Sequence, residues 1–453
     1  MLLEWFSGDP FRCGAGAKTL KYCATKRWEQ PTKNGGNDGN SGAKMDVQKL
    51  FADRIGGAQF GKVQQTFKFT LINNAKLEFI EKNPTIKVID MGVGEPEELP
   101  TTSIIEALFS AAQVKENRIY PCNGILEFAQ AASRYLKRDF NLTVDPKTEV
   151  MHCVGTKTAL AQIPLAFLNP GETVIATVPG YPVLPKASEW LGARLLSLPL
   201  EARHSFLPDL QELEAIIKRE RPKILLLNYP NNPTGAVATF EFFTRVVELA
   251  HTYSFLIVQD AAYADYVFKG AFVSPLHVNG GKDVTLELYS LSKSYNMQGY
   301  RLGFVAGGAP LIKAFSLVKD NTDNGQFIAI QKAGIHALDE CQGFLKRNRE
   351  KYQCRLRRVA EILNRAGIEA VESPGTFYLY VKVPSEFRGA EIKTAQQMAD
   401  VLISRYGLIT VPWEEAGPYL RFSMTFEVGT RDFGSENEVF QALESRLVGD
   451  LLA

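Results

Sequence analysis

The chain is short of several things that would point away from an ordinary enzyme. Its 51 basic and 50 acidic side chains nearly cancel, leaving a net charge of +1. That balance removes the electrostatic case for nucleic acid or an anionic membrane as partner. No apolar run approaches the roughly 18 residues needed to span a bilayer. Six cysteines (Cys13, Cys23, Cys122, Cys153, Cys341 and Cys354) are scattered without C-x-x-C spacing. That pattern argues for free thiols in a reducing compartment, not for disulfides or a metal site. There is no internal repeat. What remains is a water-soluble intracellular chain, expected in the cytoplasm. Its 453 residues, 45% of them hydrophobic, suffice for two packed domains.

Residues 1–44 read differently from the rest. They lack an amphipathic period and end in the breaker cluster Lys33-Asn-Gly-Gly-Asn-Asp-Gly-Asn-Ser-Gly42. Seven basic against four acidic side chains give about +3, but Glu4, Asp9 and Glu29 and the want of an apolar core argue against a standard targeting peptide. The segment is expected to be a disordered tail or an artefact of an upstream start, with Met45 opening the folded chain. A plastid location would follow only if it were a transit peptide.

From Met45 the pattern is α/β. Residues 45–92 are expected to form an N-terminal arm and part of a small domain, with Phe67–Glu81 at helical spacing; Val88–Glu98 then reads as a short strand running into a glycine loop. Residues 93–325 are expected to form the large domain. Apolar runs of strand length occur at Thr173–Val178, Lys223–Asn228, Phe255–Asp260, Val284–Tyr289 and Leu302–Ala306, and helical stretches lie between them. A further strand is expected before Gly155. Alternation of this kind predicts a mostly parallel, seven-stranded type of sheet covered on both faces, with functional groups beyond the strand C-termini. Residues 326–453 are expected to be a smaller α+β domain. It carries long helices over Gln326–Leu338 and Cys341–Ala366, and strands at Thr376–Val381, Leu408–Val411 and Tyr419–Met424. Helices at Glu391–Arg405 and Glu436–Leu447 complete it, the last opened by a Ser435/Glu438 capping box. The basic run Lys346, Arg347, Arg349, Lys351, Arg355, Arg357 and Arg358 reads as a solvated helix face.

The chemistry gathers around Ser290-Leu-Ser-Lys293-Ser-Tyr-Asn-Met-Gln-Gly-Tyr-Arg301-Leu-Gly303. One lysine follows two small hydroxyl residues, with an arginine eight positions later. That suits covalent attachment of pyridoxal phosphate (PLP) by Lys293 and a phosphate clamp by Arg301. Such a cofactor also needs an anion site, a partner for its ring nitrogen and a flat surface against its ring. Gly155-Thr156-Lys157, between a strand and a helix, offers free amides and a hydroxyl for phosphate. Asp260 ends an apolar strand, where a lone carboxylate is costly unless it meets a cation such as a protonated ring nitrogen. Tyr181 in Pro179-Gly-Tyr-Pro182 is a candidate stacking residue, and Asn232 and Tyr263 are candidate donors to the ring oxygen.

With these residues in order, residues 50–449 resemble a class I/II aminotransferase of the fold-type-I PLP superfamily. Ser290–Gly303 fits the lysine signature of that class at every position. Asn231-Asn-Pro-Thr-Gly235 and Asp260-Ala-Ala-Tyr263 fall where the class has them. The resemblance implies Lys293 as the covalent and acid/base residue and Asp260 as partner of the ring nitrogen. It puts Asn232 and Tyr263 at the ring oxygen, Gly155, Thr156, Ser290 and Arg301 at the phosphate, and Tyr181 on the ring. It also implies that Arg421 receives the substrate α-carboxylate in a bidentate pair, with Gly94 as a backbone contact. Tyr120 would reach the phosphate of a neighbouring subunit, so a homodimer with shared active sites is implied. The reaction would be ping-pong transamination between an amino acid and a 2-oxo acid.

Within the class, Arg54-Ile-Gly-Gly57, Val93-Gly-Glu-Pro-Glu97, Asn228-Tyr-Pro-Asn-Asn-Pro and Lys319-Asp-Asn-Thr-Asp-Asn-Gly-Gln-Phe327 most resemble the LL-diaminopimelate aminotransferases. In that family a lysine matching Lys157 and an asparagine matching Asn324 stand where the far end of the substrate is read. This chain departs in having Phe67 where the family usually places a tyrosine, and Gly94-Glu-Pro-Glu97 where some plant members have Gly-Asp-Thr-Thr. A broader aminotransferase for aromatic, alanine-like or aspartate-like substrates, or a C–S lyase, would use the same cofactor site. A PLP-binding regulator would need an appended DNA-binding domain, for which residues 1–44 are too short and irregular.

Overall fold

The computed structural model describes residues 46–62, 68–430 and 432–449; the expectations for residues 1–44 and for Phe67 fall outside them. Residues 46–62 make three short 3-10 turns, Val47–Leu50, Asp53–Ile55 and Gly57–Gln59. The Phe51 and Phe60 rings meet within this segment at 4.8 Å between centres. The described residues from Lys68 onward belong to one compact unit, which opens with the helix Lys68–Lys82 and the two-residue strand β1, Ile89–Asp90.

The main sheet is built from β2 (Val150–Cys153), β3 (Thr173–Val178), β4 (Arg194–Pro199), β5 (Ile224–Asn228), β6 (Leu256–Asp260), β7 (Thr285–Ser290) and β8 (Gly303–Gly307). Its order is β2-β8-β7-β6-β5-β3-β4. Every pairing is parallel except those of β8, which runs against both neighbours. The apolar runs form strands because both faces are covered. Leu225 and Leu227 of β5 pack into the core beneath the helix Phe240–Tyr253. Ile224 and Leu226 pack into the opposite core with Leu160 and Ile163 of the helix Gly155–Phe167. A strand buried on both sides needs continuous hydrophobicity, not alternation. β4 was not anticipated: it is an edge strand with a mostly half-buried or exposed face and carries Arg194 and Ser197, so its apolar signal is diluted.

The remaining strands are β9 (Tyr378–Lys382), β10 (Glu386–Phe387), β11 (Ala390–Glu391), β12 (Leu408–Ile409), β13 (Val411–Trp413) and β14 (Tyr419–Ser423). β9, β13 and β14 form an antiparallel sheet, and β10 and β11 a separate antiparallel hairpin. The sheet order is β13-β14-β9, while β12 pairs in parallel with β1. The run Leu408–Val411 is thus divided between two sheets. The helix expected from Glu391 starts at Ala395, because Thr394 caps it by accepting from the Gln397 N–H at 3.1 Å and Glu391 belongs to the hairpin. Ser435 accepts from the Glu438 N–H at 3.4 Å, but the Glu438 carboxylate reaches the Gly434 N–H at 3.0 Å, so the reciprocal half of the box closes one residue early.

The basic helix Gln342–Arg365 corrects one expectation. Arg355 is fully buried and Lys351 largely so; both bond Glu97, at 2.8 and 2.9 Å. Arg355 also donates to Glu436 at 2.7 Å and to the carbonyls of Met424 and Phe426. A charge run looks solvated when its partners lie far along the chain, and these do. Among the described residues no helix is long and apolar enough to cross a membrane, and no group of three or more His, Cys, Asp or Glu side chains could hold a metal ion.

Candidate active site

The site lies along one edge of the main sheet. β2, β3, β5, β6 and β7 all end there, and β8, running the other way, begins there. Consequently the loops after Cys153, Val178, Asn228, Asp260 and Ser290 meet the turn that carries Arg301.

Lys293 sits on the short helix Leu291–Ser294, whose N-cap is Ser290; its hydroxyl accepts from the Ser292 N–H at 3.2 Å. The backbone around the lysine is held from below. The Tyr266 hydroxyl donates to the Lys293 carbonyl at 2.8 Å, and the Ser294 hydroxyl donates to buried Asp265, which also accepts from Tyr135 at 2.8 Å. The Lys293 ammonium donates to the Gly94 carbonyl at 2.6 Å. Burial pulls its pKa down to about 8; Arg421 and Arg301 push the same way, while Glu95 and Asp260 oppose them.

Asp260 is buried at the end of β6, and burial raises its carboxyl to about 6 against the Ala262 N–H, which donates to it at 3.2 Å, and the Lys293 charge. Asn228 ties this edge together: its amide donates to the Asp260 carbonyl at 2.7 Å and its oxygen accepts from the Asn232 N–H at 2.9 Å. The Asn232 side-chain oxygen accepts from Arg421 at 3.0 Å, which leaves its amide N–H groups as donors. Tyr263, buried, shares a hydrogen bond with Tyr378 at 2.9 Å. Tyr181 is 37% exposed, and burial, then the Asp260 charge, raise its hydroxyl pKa.

The part of the site around Gly155 is made by backbone. Gly155 opens the helix Gly155–Phe167 with φ of +71°, and no side chain caps that helix. A Cβ on Gly155 would lie 2.5 Å from an Arg301 guanidinium nitrogen, so only glycine lets the helix amides and this cation come together. Thr156 beside it is half-buried. Arg301 is itself left-handed, with φ of +56°, and donates to the Gln298 carbonyl at 3.0 Å.

Arg421, on β14, is buried; it donates to the Gly92 carbonyl at 2.8 Å, and its charged carbon stands 4.4 Å from the centre of the Tyr378 ring. Tyr378, Gly92 and Glu95 were not singled out from sequence. Tyr378 sits in an ordinary apolar strand run, and a backbone carbonyl leaves no residue signature. Tyr120 (93% exposed), Lys157 and Asn324 are exposed and form no hydrogen bond with Lys293, Asp260 or Arg421. The loops of Tyr120 and Asn324 are nonetheless joined, the Asn123 N–H donating to the Asn324 carbonyl at 2.8 Å.

These groups fit PLP. An uncapped helix N-terminus beside an arginine suits a phosphate, and a buried carboxyl with a raised pKa suits a cationic ring nitrogen. A buried lysine with a lowered pKa is available as a nucleophilic amine. The chain matches the family described as aminotransferase class I and II over residues 86–430. It is 45% identical over 410 residues to the LL-diaminopimelate aminotransferase of Methanocaldococcus jannaschii, covering 89% of this chain and 98% of that protein. It is 42% identical over 408 residues to the enzyme of the same name from Methanococcus maripaludis, covering 88% and 97%. Among solved structures, a single mutant of Thermus thermophilus aspartate aminotransferase superposes with a TM-score of 0.77 at 26% identity, covering 88% of this chain and 99% of that one.

Fold and site together define a fold-type-I, PLP-dependent enzyme. The chain belongs to the class I and II aminotransferases, and its reaction is amino-group transfer between an amino acid and a 2-oxo acid.

Proposed function

We propose that the amino donor is LL-diaminopimelate and the acceptor 2-oxoglutarate, the exchange that places the enzyme in lysine biosynthesis. The observation that carries this is the near full-length identity with two enzymes named for that donor, 45% and 42%. Lys157 and Asn324, exposed and polar, are available to meet the far end of a long substrate.

In this reading Gly155, Thr156, Ser290 and Arg301 hold the phosphate of PLP, and Asp260 holds its ring nitrogen. Asn232 and Tyr263 serve its ring oxygen and Tyr181 covers its face. Once bound, the cofactor supplies an electron sink that acidifies the α C–H of the amino acid. The protein does the rest. Arg421 takes the α-carboxylate through two N–H groups, with Gly94 as a backbone contact, and so fixes which bond at the α-carbon faces Lys293. Lys293, its amine held near a pKa of about 8, accepts the α-proton and returns it on the other side of the exchange. A keto acid leaves before the second substrate enters, which makes the cycle ping-pong.

Residues 93–325 act as the large cofactor-binding domain, and residues 45–92 with 326–453 as arm and small domain. The working unit is a homodimer. Leu99, Phe109, Ile119, Tyr120, Leu126 and Phe327 are large apolar side chains left exposed by a single chain, four of them on or beside the helix Thr102–Ala112 and the loop after it. In the dimer Tyr120 would serve the neighbouring phosphate. The enzyme works in the cytoplasm, or in a plastid should residues 1–44 act as a transit peptide.

The test is a half-reaction screen. Purified holoenzyme is mixed with single amino acids, including LL- and meso-diaminopimelate and glutamate, and loss of the bound-cofactor absorbance is followed. Conversion by LL-diaminopimelate and glutamate supports the assignment. Conversion by aspartate, alanine or aromatic amino acids with diaminopimelate silent would replace it with the broader aminotransferase, the reading that the Thermus aspartate enzyme favours.

A further inference from the structure

One loop, residues 319–326, ties together three segments around the anion cradle without contributing a side chain to it. Its base is the fully buried Lys319, whose ammonium donates to Asp323 at 2.6 Å. The Lys319 carbonyl accepts from the N–H groups of Thr322 at 3.1 Å and Asn324 at 2.8 Å, so the loop is wound around this one residue. From it run three ties. The Thr322 hydroxyl accepts from Gln162, on the phosphate-end helix Gly155–Phe167, at 2.7 Å. The Asn324 carbonyl accepts from Asn123 in the Tyr120 loop. The third tie is Gln326, whose amide donates to the carbonyls of both Tyr300, at 2.7 Å, and Arg301, at 2.9 Å.

The last tie matters most. Arg301 holds a left-handed backbone, with φ of +56° and ψ of +51°, a conformation that L-residues other than Asn and Asp adopt reluctantly. An unsupported arginine would relax out of it and swing its guanidinium away from Gly155. Gln326 receives support of its own: its backbone carbonyl accepts from the Gln331 side chain at 2.8 Å, and the oxygen of Gln331 accepts from the Ile125 N–H at 2.9 Å.

We propose that Gln326 is a positioning residue for the phosphate-binding site: it clasps the Tyr300 and Arg301 carbonyls, and the buried Lys319–Asp323 pair holds the loop that presents it. The inference rests on the assignment of Arg301 to the cofactor phosphate. Its signature is selective. Loss of the clasp weakens what the phosphate contributes and spares what the ring contributes.

The experiment compares equilibrium binding of PLP and of pyridoxal, which lacks the phosphate, to apoenzyme by absorbance, together with the Tm of each apoprotein. Gln326→Ala removes the clasp. Gln326→Met keeps the length and removes both N–H donors without adding a charge, so it reports even if the alanine variant folds poorly. Expected is about tenfold weaker PLP binding in each variant, from the loss of two hydrogen bonds, with pyridoxal binding unchanged. Equal weakening of both ligands, or unaltered PLP binding, overturns the proposal. Wild-type apoenzyme that binds PLP no better than pyridoxal would instead overturn the phosphate assignment itself.

Discussion

Arg421 and Tyr378 face each other diagonally across two antiparallel strands. Arg421 is paired in register with Tyr380, so Tyr378, two residues along, lies on the same face of the sheet, with its ring centre 4.4 Å from the guanidinium. The ring is a floor for the cation, and its hydroxyl reaches Tyr263. Removing the floor should loosen the arginine for every amino donor. Tyr378→Ala is expected to raise KM by a few-fold to about thirty-fold, the span of about 0.5–2 kcal/mol for such contacts. Tyr378→Phe keeps the ring and should leave KM near wild type. Steady-state kinetics with two unlike donors decides it: a KM effect confined to one donor means the arginine does not serve the common carboxylate. Arg421→Lys, which loses the bidentate fork, should raise KM for both.

On the proposed assignment, covalent uptake of PLP needs the neutral amine of Lys293. With its pKa drawn down to about 8 by burial, the uptake rate of apoenzyme should rise with pH through a midpoint near 8, not near the ordinary lysine value. Arg421→Ala and Arg301→Ala each delete a charge that disfavours the ammonium and should move that midpoint upward. Stopped-flow absorbance from pH 6 to 10 reads it directly, and a wild-type midpoint close to 10 would refute the lowered pKa. Lys293→Ala should abolish the uptake and transamination together.

Glu287, in the middle of the main sheet, is fully buried, and burial lifts its carboxyl from 4.5 to about 8 against the hydroxyls of Tyr289 and Ser274. Between those two values the folded chain keeps a proton that the unfolded chain has released. Stability attributable to this group therefore falls as pH rises through that window. Glu287→Gln retains an acceptor for Tyr289 and cannot ionise. The variant's Tm should decline less than that of wild type between pH 6 and 9. Parallel Tm–pH curves would show that Glu287 is already ionised in the folded protein.

Glu97 bonds Lys351, Arg355 and the Tyr352 hydroxyl, the last at 2.9 Å. Glu97→Ala leaves Arg355 buried with a partner missing and is expected to cost about 3 kcal/mol in urea unfolding. Adding Arg355→Met should recover a good part of that loss. A double variant as unstable as the sum of its singles would mean the pair is not coupled.

Much of this was readable in sequence, and the exceptions share a cause. β3, β5 and β6 announce themselves because a strand covered on both faces must be apolar throughout. The lysine segment, Asp260 and the Asn231–Gly235 loop were legible because the chemistry demands particular residues at particular strand ends. What escaped were relationships made only by folding. β4 is an edge strand with a diluted signal. Arg355 looked solvated because Glu97 and Glu436 stand far from it in the chain. Tyr378 was one aromatic among many until β9 lay beside β14. The clasp by Gln326 depends on a loop whose wrapping around Lys319 no local pattern reveals.

The knot around Arg355 also limits how this chain can change in length. One guanidinium joins the segment at Glu97, the carbonyls of Met424 and Phe426, and the start of the last helix at Glu436. An inserted or deleted residue between Phe426 and Glu436 would shift one partner against another and strand a buried charge. Lineages of this enzyme should hold that stretch at constant length and vary instead at turns such as Lys269–Ala271, where Gly270 has open space around it.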